Sequence, residues 1–119
     1  MHNYLELKIW QQSRSLVKKI FILSESFPSH QLYSLTNQMQ RAAISIPSNI
    51  AEGAGRDSDK EFIRFLDIAN GSAFELETQL FICADLGYEK IEIVYSIIEE
   101  LKEIQKMIFK FRRSLESKS

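Results

Sequence analysis

The chain has 119 residues, enough for one domain with a substantial core, and its two prolines and four glycines are too few for a disordered chain. Its 15 Lys and Arg against 16 Asp and Glu give a formal charge of −1, which excludes a strongly basic nucleic-acid-binding domain but not a local basic patch. A single cysteine, Cys83, excludes an internal disulfide and points to a reducing compartment.

The opening "MHNYLELKIWQQSR" carries Glu6 and Lys8 before any useful apolar run, unlike a signal peptide. The longest apolar runs, such as Ile20–Leu23, fall far short of the roughly 20 residues a membrane span needs. A cytoplasmic protein with no membrane partner is therefore expected. The first helix is predicted at about 4–26, where Leu5, Ile9, Leu16, Ile20, Leu23 and Phe27 keep a three-or-four spacing across a polar gap at Gln12 and Ser13. Pro28 then stops it by disfavouring helical geometry at Phe27.

A second helix is predicted at about 35–54, because Leu35, Met39, Ala43, Ile46 and Ile50 continue at helical spacing straight through Pro47. Pro47 removes one backbone hydrogen bond and presses on the carbonyl of Ala43, so a kink is expected there. Such a proline costs roughly 3 kcal/mol in an ordinary helix interior, which packing must offset. The small residues Ala42, Ala43, Ala51, Gly53 and Ala54 would let another helix approach closely. Gly53 and Gly55 are also read as closing the helix and turning the chain.

The third helix, about 59–86, opens with the capping-box pattern "SDKE" at Ser58–Glu61. Behind it Phe62, Leu66, Ala69, Ala73, Leu76, Leu80 and Cys83 alternate four- and three-residue steps, the signature of a bundle seam. Gly87 supplies its stop in the left-handed conformation. The fourth helix, about 89–114, repeats the seam with Val94, Ile97, Leu101, Ile104, Ile108, Phe111 and Leu115. No segment alternates with a period of two. The class is all-α, an antiparallel up-down four-helix bundle forming a single domain over residues 1–119.

Phe21, Ile22, Phe74, Phe81 and Phe109 lie off these seams. Either they widen the core or a homo-oligomer buries them, and the oligomer is the expectation. Chemistry is sparse. His2, in a terminus read as frayed, and His30 have no carboxylate or cysteine at ligand spacing, and Cys83 falls on an apolar seam. "EGAGR" lacks the flanking strand and Lys-Ser/Thr of a phosphate loop, and Glu75 and Glu77 face different ways on a helix. No catalytic residue, metal site, cofactor or small-molecule substrate is expected, and the chain is not read as an enzyme.

Two polar patterns stand out. Gln38, Arg41, Ser45, Asn49 and Glu52 share one face of the second helix, while Ser72, Glu75 and Gln79 share one face of the third. They are either solvated faces or an interhelical network in which Arg41 and Asn49 meet Glu75 or Glu52, with Gln79 alongside. Lys102, Lys106 and Lys110 share a face of the fourth helix with Arg113 close by, within a Lys102–Arg113 segment of net charge +4. That stripe is either an ordinary charged surface or the best candidate for phosphate-backbone contact.

The run "LTNQMQRAAISIPSNIAEGAGRDSDKEFIRFLDIANGSAFELETQL" resembles the 23S rRNA-intervening sequence protein family, as does the first helix "LELKIWQQSRSLVKKIFILSESFP" with its "FP" turn. The resemblance runs to Gly87 and Tyr88, with the fourth helix alike only in character. It implies a four-helix bundle assembled as a ring-like pentamer, without established activity in most members. It also implies kinship with the basic accessory variability proteins of diversity-generating retroelements, which bind nucleic acid and a reverse transcriptase. The motif positions here are Gln38, Arg41, Ser45, Pro47, Asn49, Glu52, Gly53, Phe62, Gly71, Ser72, Glu75, Glu77 and Gln79, none with a catalytic role implied. The expected function is a non-enzymatic oligomeric scaffold associated with RNA or a nucleic-acid-binding protein. The alternative is a protein–protein interaction module that binds no nucleic acid.

Overall fold

The computed structural model describes residues 1–117, and all regular structure among them is helical. Four helices form where the seams predict them: α1 (Lys8–Ser24), α2 (Asn37–Ala54), α3 (Asp59–Asp85) and α4 (Ile91–Glu116). Each packs on two neighbours, and α1 closes against α4. Cross-helix pairs fix the directions. Along α3 and α4, Asp67 meets Arg112, Asn70 meets Gln105 and Glu77 meets Lys102, so one number rises as the other falls. Ser24 meets Gln40 while His2 meets Ala54, which sets the α1 side antiparallel to α2. The result is an up-down bundle. No helix among the described residues is long and apolar enough to cross a membrane.

The predicted seams line the core. On α3, Phe62, Leu66, Ala69, Ala73, Leu76, Leu80 and Cys83 are all buried, as are Val94, Ile97, Leu101, Ile104, Ile108 and Leu115 on α4. Phe111 is half-buried. The apparent polar gap in α1 is core as well. Ser13 is buried, and its hydroxyl donates to the Trp10 carbonyl at 3.1 Å, so the helix itself satisfies it.

Helix ends differ from the spacing-based bounds where side chains take over backbone bonding. Asn3 accepts a hydrogen bond from the Leu5 N–H at 3.2 Å and starts a separate 3₁₀ turn at Tyr4–Glu6. Leu7 is then extended, so α1 begins at Lys8 and Leu5 is left 54% exposed instead of joining the seam. After Phe27 the chain makes a 3₁₀ turn at Ser29–Gln31 and a wider π-helical turn at Leu32–Thr36 that runs directly into α2. This end of the bundle is pinned. The Phe27 and Tyr88 rings lie 5.5 Å apart, and Gln31 Nε2 donates to the Tyr88 hydroxyl at 2.9 Å.

α2 continues through Pro47 to Ala54, with Met39, Ala43, Ile46, Pro47 and Ile50 buried. Gly55 closes the helix as expected, as its C-cap with its N–H on Ala51 O at 3.2 Å, though without positive φ, whereas the expectation that Gly53 turns the chain needs correcting. Gly53 is still helical and is needed for space: a Cβ there would stand 2.7 Å from Phe65 Cβ and 2.8 Å from Phe62 Cδ1. Gly87 does take the left-handed conformation, at φ 75°. Its N–H reaches Ala84 O and the Tyr88 N–H reaches Cys83 O, the paired bonds of a Schellman stop. At the head of α3, Ser58 Oγ accepts from the Glu61 N–H at 3.1 Å. The Glu61 carboxylate pairs with Arg64 at 3.4 Å, so only half of the capping box is used.

His2 corrects the expectation of a frayed start. Its N–H donates to Ala54 O at 2.8 Å, and its ring packs edge-on against Phe62 and Phe111, 5.1 and 5.8 Å between centroids.

Gly53→Ala is expected to destabilise the bundle by about 1–3 kcal/mol, because the clashing partner is a Cβ fixed to the α3 backbone. Ser58→Ala should cost about 1 kcal/mol by loss of the cap. Chemical denaturation at constant slope checks both; an unchanged midpoint for Gly53→Ala would show that α2 and α3 can move apart without penalty.

Candidate nucleic-acid interface

The basic stripe follows from helical geometry. Residues four apart on α4 lie on one face, rising about 6 Å per step. Lys102, Lys106 and Lys110 obey this spacing and, together with Phe74 and Asn70 of α3 and Phe109 of α4, line a groove of about 530 Å³ between the two helices. Phe74 and Phe109 are each 58% exposed. On the groove wall Gln105 Nε2 donates to Asn70 Oδ1 at 3.1 Å, leaving Asn70 Nδ2 and Gln105 Oε1 without a partner among the described residues.

The four cations are held to different degrees. Lys102 lies 4.0 Å from the half-buried Glu77, while Lys106 lies 3.3 Å from Glu103 as a solvent-exposed pair that contributes little and exchanges readily. Lys110 has no carboxylate partner among the described residues, nor has Arg113, whose guanidinium sits 5.8 Å from the Phe109 ring centre. Arg112 belongs elsewhere. It donates to both carboxylate oxygens of Asp67, at 2.7 and 3.3 Å, and pairs with Glu116. The hydrogen bond it donates to Asp67 raises its already high pKa and keeps it charged. The solvent-facing cationic stripe of α4 is therefore Lys102, Lys106, Lys110 and Arg113.

The polar residues of α2 and α3 are arranged differently from the anticipated network. Asn49 Nδ2 donates to Ser45 O at 2.8 Å and to Ser45 Oγ at 2.9 Å. Ser45 Oγ in turn lies 2.7 Å from Ser72 Oγ across the α2–α3 seam. This small hydroxyl–amide relay is the interhelical bond. Arg41 does not enter it; the residue is exposed and has no partner among the described residues. Glu52 pairs with Arg56 at the surface, and Glu75 accepts from Gln79 Nε2 at 3.3 Å within α3. Gln79 is only 9% exposed, and its Oε1 is buried without a donor.

Cys83 is fully buried, and burial, aided by the nearby Glu89 charge, pushes its thiol up to about 11. At neutral pH it is a packed thiol rather than a nucleophile. His30 stands exposed in the Ser29–Gln31 turn. Among the described residues no three His, Cys, Asp or Glu side chains are grouped to hold a metal ion.

Of the off-seam hydrophobics, Phe21, Ile22, Phe74 and Phe109 are exposed, whereas Phe81 is half-buried against the core with its ring 5.8 Å from Tyr95. Sequence reasoning assigned Phe74 and Phe109 to a second apolar face and did not connect them with the lysines. The signal was present on α4, where Phe109 is three residues after Lys106, one before Lys110 and four before Arg113. A second groove, of about 600 Å³ between α1 and α2, was not anticipated. Trp10 lines it with Tyr4 edge-on at 5.1 Å and the Arg14 guanidinium 5.3 Å from its ring, opposite Pro47 and Ala51.

Comparison with known proteins places this geometry. Residues 5–110 match the 23S rRNA-intervening sequence protein family. A crystal structure of a protein of unknown function from the S23 ribosomal protein family of Bacteroides thetaiotaomicron is similar, with a TM-score of 0.81 and 26% identity. The match covers 88% of this chain and 95% of that one. No curated protein matches significantly.

The relay yields a differential prediction. Asn49→Ala should cost about 1 kcal/mol, since it removes both bonds to Ser45 and leaves the hydroxyl pair less restrained. Glu75→Ala, at an exposed site, should change stability by no more than about 0.5 kcal/mol. Equal losses in thermal melts of the two variants would contradict the observed wiring.

Proposed function

This chain belongs to the 23S rRNA-intervening sequence protein family, and from that membership we propose a non-enzymatic, oligomeric scaffold that associates with RNA or a ribonucleoprotein. The observation that carries the reading is the lysine-lined groove. Three lysines at one-turn intervals, with Arg113 beyond them, form a positive strip on a chain of net charge −1. Exposed cations on such a strip can replace the counterions of a phosphate backbone, which gives salt-dependent affinity. The role proposed is binding and assembly, and the buried, protonated Cys83 thiol is in keeping with it.

Self-assembly is supported by the α2–α3 face. On α3, Ile68, Ser72, Glu75, Gln79 and Ile82 step by four and three, a second seam beside the core one. Ile68 and Ile82 are exposed, the Gln79 oxygen is buried and unpaired, and Arg41 lies free on α2. A helix from another copy would cover the isoleucines. We propose that copies meet on this face, as a pentameric ring in keeping with the family resemblance.

One observation favours a second reading, a protein-interaction module that never touches nucleic acid. The overall balance is slightly acidic, and Glu103 sits among the groove lysines.

Filter binding of structured RNA across a salt series separates the two. Affinity should fall steeply with salt, and Lys106→Gln/Lys110→Gln/Arg113→Gln should weaken binding and shallow the slope by about two to three units. Glu103→Gln should strengthen binding. Absence of binding at low salt selects the interaction module. For assembly, light scattering at micromolar concentration should give a mass near five times the 13.9 kDa chain, and a mass of one chain would defeat the oligomer.

A further inference from the structure

The α3–α4 groove holds more than charge, and its other components narrow what fits. Phe74 and Phe109 present apolar rings to solvent in a groove whose rim is Lys102, Lys106 and Lys110. Asn70 and Gln105 are level with each other across the antiparallel pair, since they are hydrogen-bonded. Phe74 lies one turn beyond Asn70 on α3, and Phe109 one turn beyond Gln105 on α4, in opposite directions along the groove. The rings therefore flank the amide pair, separated by about 12 Å along the axis.

We infer that this groove binds unpaired RNA, with bases stacked on Phe74 and Phe109, base edges on the Asn70–Gln105 amides and phosphates on the lysines. The inference deepens the RNA-associated reading and rests on it. Three features favour a single strand over other occupants. A duplex keeps its base faces stacked inside, so it has nothing to place on two exposed rings. A nucleic-acid strand with free bases joins flat π-faces to regularly spaced anions, the chemistry that aromatic and cationic groups along one groove accept. A second copy of this chain would have to desolvate three lysines at the centre of its contact, where lysine is normally depleted. The partnerless Asn70 Nδ2 and Gln105 Oε1 offer one donor and one acceptor to a base edge. Arg113, already against the Phe109 ring, can extend the stack at that end.

Fluorescence anisotropy at low salt with an unstructured adenine-rich RNA strand and a duplex RNA of equal length tests this directly. Charge alone favours the denser duplex, so tighter binding of the single strand is the expected signature. Phe74→Ala/Phe109→Ala should lower single-strand affinity by roughly tenfold or more and leave duplex affinity unchanged. Phe109→Trp should retain single-strand binding in the Phe74-intact protein and report stacking by quenched fluorescence, with Trp10→Phe in the background. Because both rings are exposed, circular dichroism melts should show these variants folded. If the double variant binds the single strand as the parent does, or the duplex is preferred, the inference fails, while lysine-dependent binding to both would leave the RNA reading intact. No binding of either RNA overturns both. A change in assembly mass for the double variant, without loss of RNA affinity, would assign the rings to a contact between copies and overturn the stacking role.

Discussion

The contact between the end of α2 and the start of α3 sets the geometry on which the remainder of the bundle relies. The two helices are joined by only the residues between Ala54 and Asp59, so their ends must meet closely. Gly53 makes that possible by leaving room for Phe62 and Phe65 where any side chain would collide. Once α2 and α3 are seated, Ser45 falls opposite Ser72 and the seam of α3 faces inward along its length. The same junction receives the beginning of the chain, since His2 bonds the last carbonyl of α2 and packs between Phe62 and Phe111. Buried apolar area supplies most of the stabilisation in such a bundle, and close packing decides which arrangement obtains it.

Electrostatics in this protein is a matter of distribution rather than total. Several cations are neutralised locally: Arg112 by Asp67 and Glu116, Arg56 by Glu52, Arg64 by Glu61 and Lys19 by Glu100. Other cations, Arg41 and Lys60 among them, also stand without a carboxylate partner among the described residues, but on α4 the unpaired Lys110 and Arg113 adjoin Lys102 and Lys106 along one side of the helix. At physiological ionic strength charges interact over about 8 Å, so a ligand in the groove responds to these cations and hardly to the acids on the far side. A near-neutral chain and a locally positive groove are compatible for that reason.

The core was legible in the sequence because a seam with steps of four and three admits only one helical face, and burial of that face does not depend on details of the neighbours. Pro47 did not mislead, as the apolar spacing on either side of it stayed in phase. Helix ends were less legible. The Asn3 bond that splits Tyr4–Glu6 from α1 and the π-helical turn before α2 are choices among local hydrogen bonds of similar energy. The polar seam was readable as a face but not as a network. Which residues meet depends on how far each helix is rotated about its axis, and a rotation of a few tens of degrees puts Ser45 and Ser72 together and leaves Arg41 outside. The groove was half legible. Its lysines share one helix, but Phe74 reaches them only through tertiary packing.

Cys83 carries a practical consequence. It is the chain's sole thiol, it is buried in the seam of α3, and burial keeps it protonated near neutral pH. A reagent that needs thiolate can reach it only when the end of α3 opens from its neighbours, so the rate of alkylation counts those openings. The protein thus contains its own chemical clock, one that is blind to motion in the surface grooves. Anything that binds the closed bundle should slow that clock in proportion to how strongly it prefers the closed form.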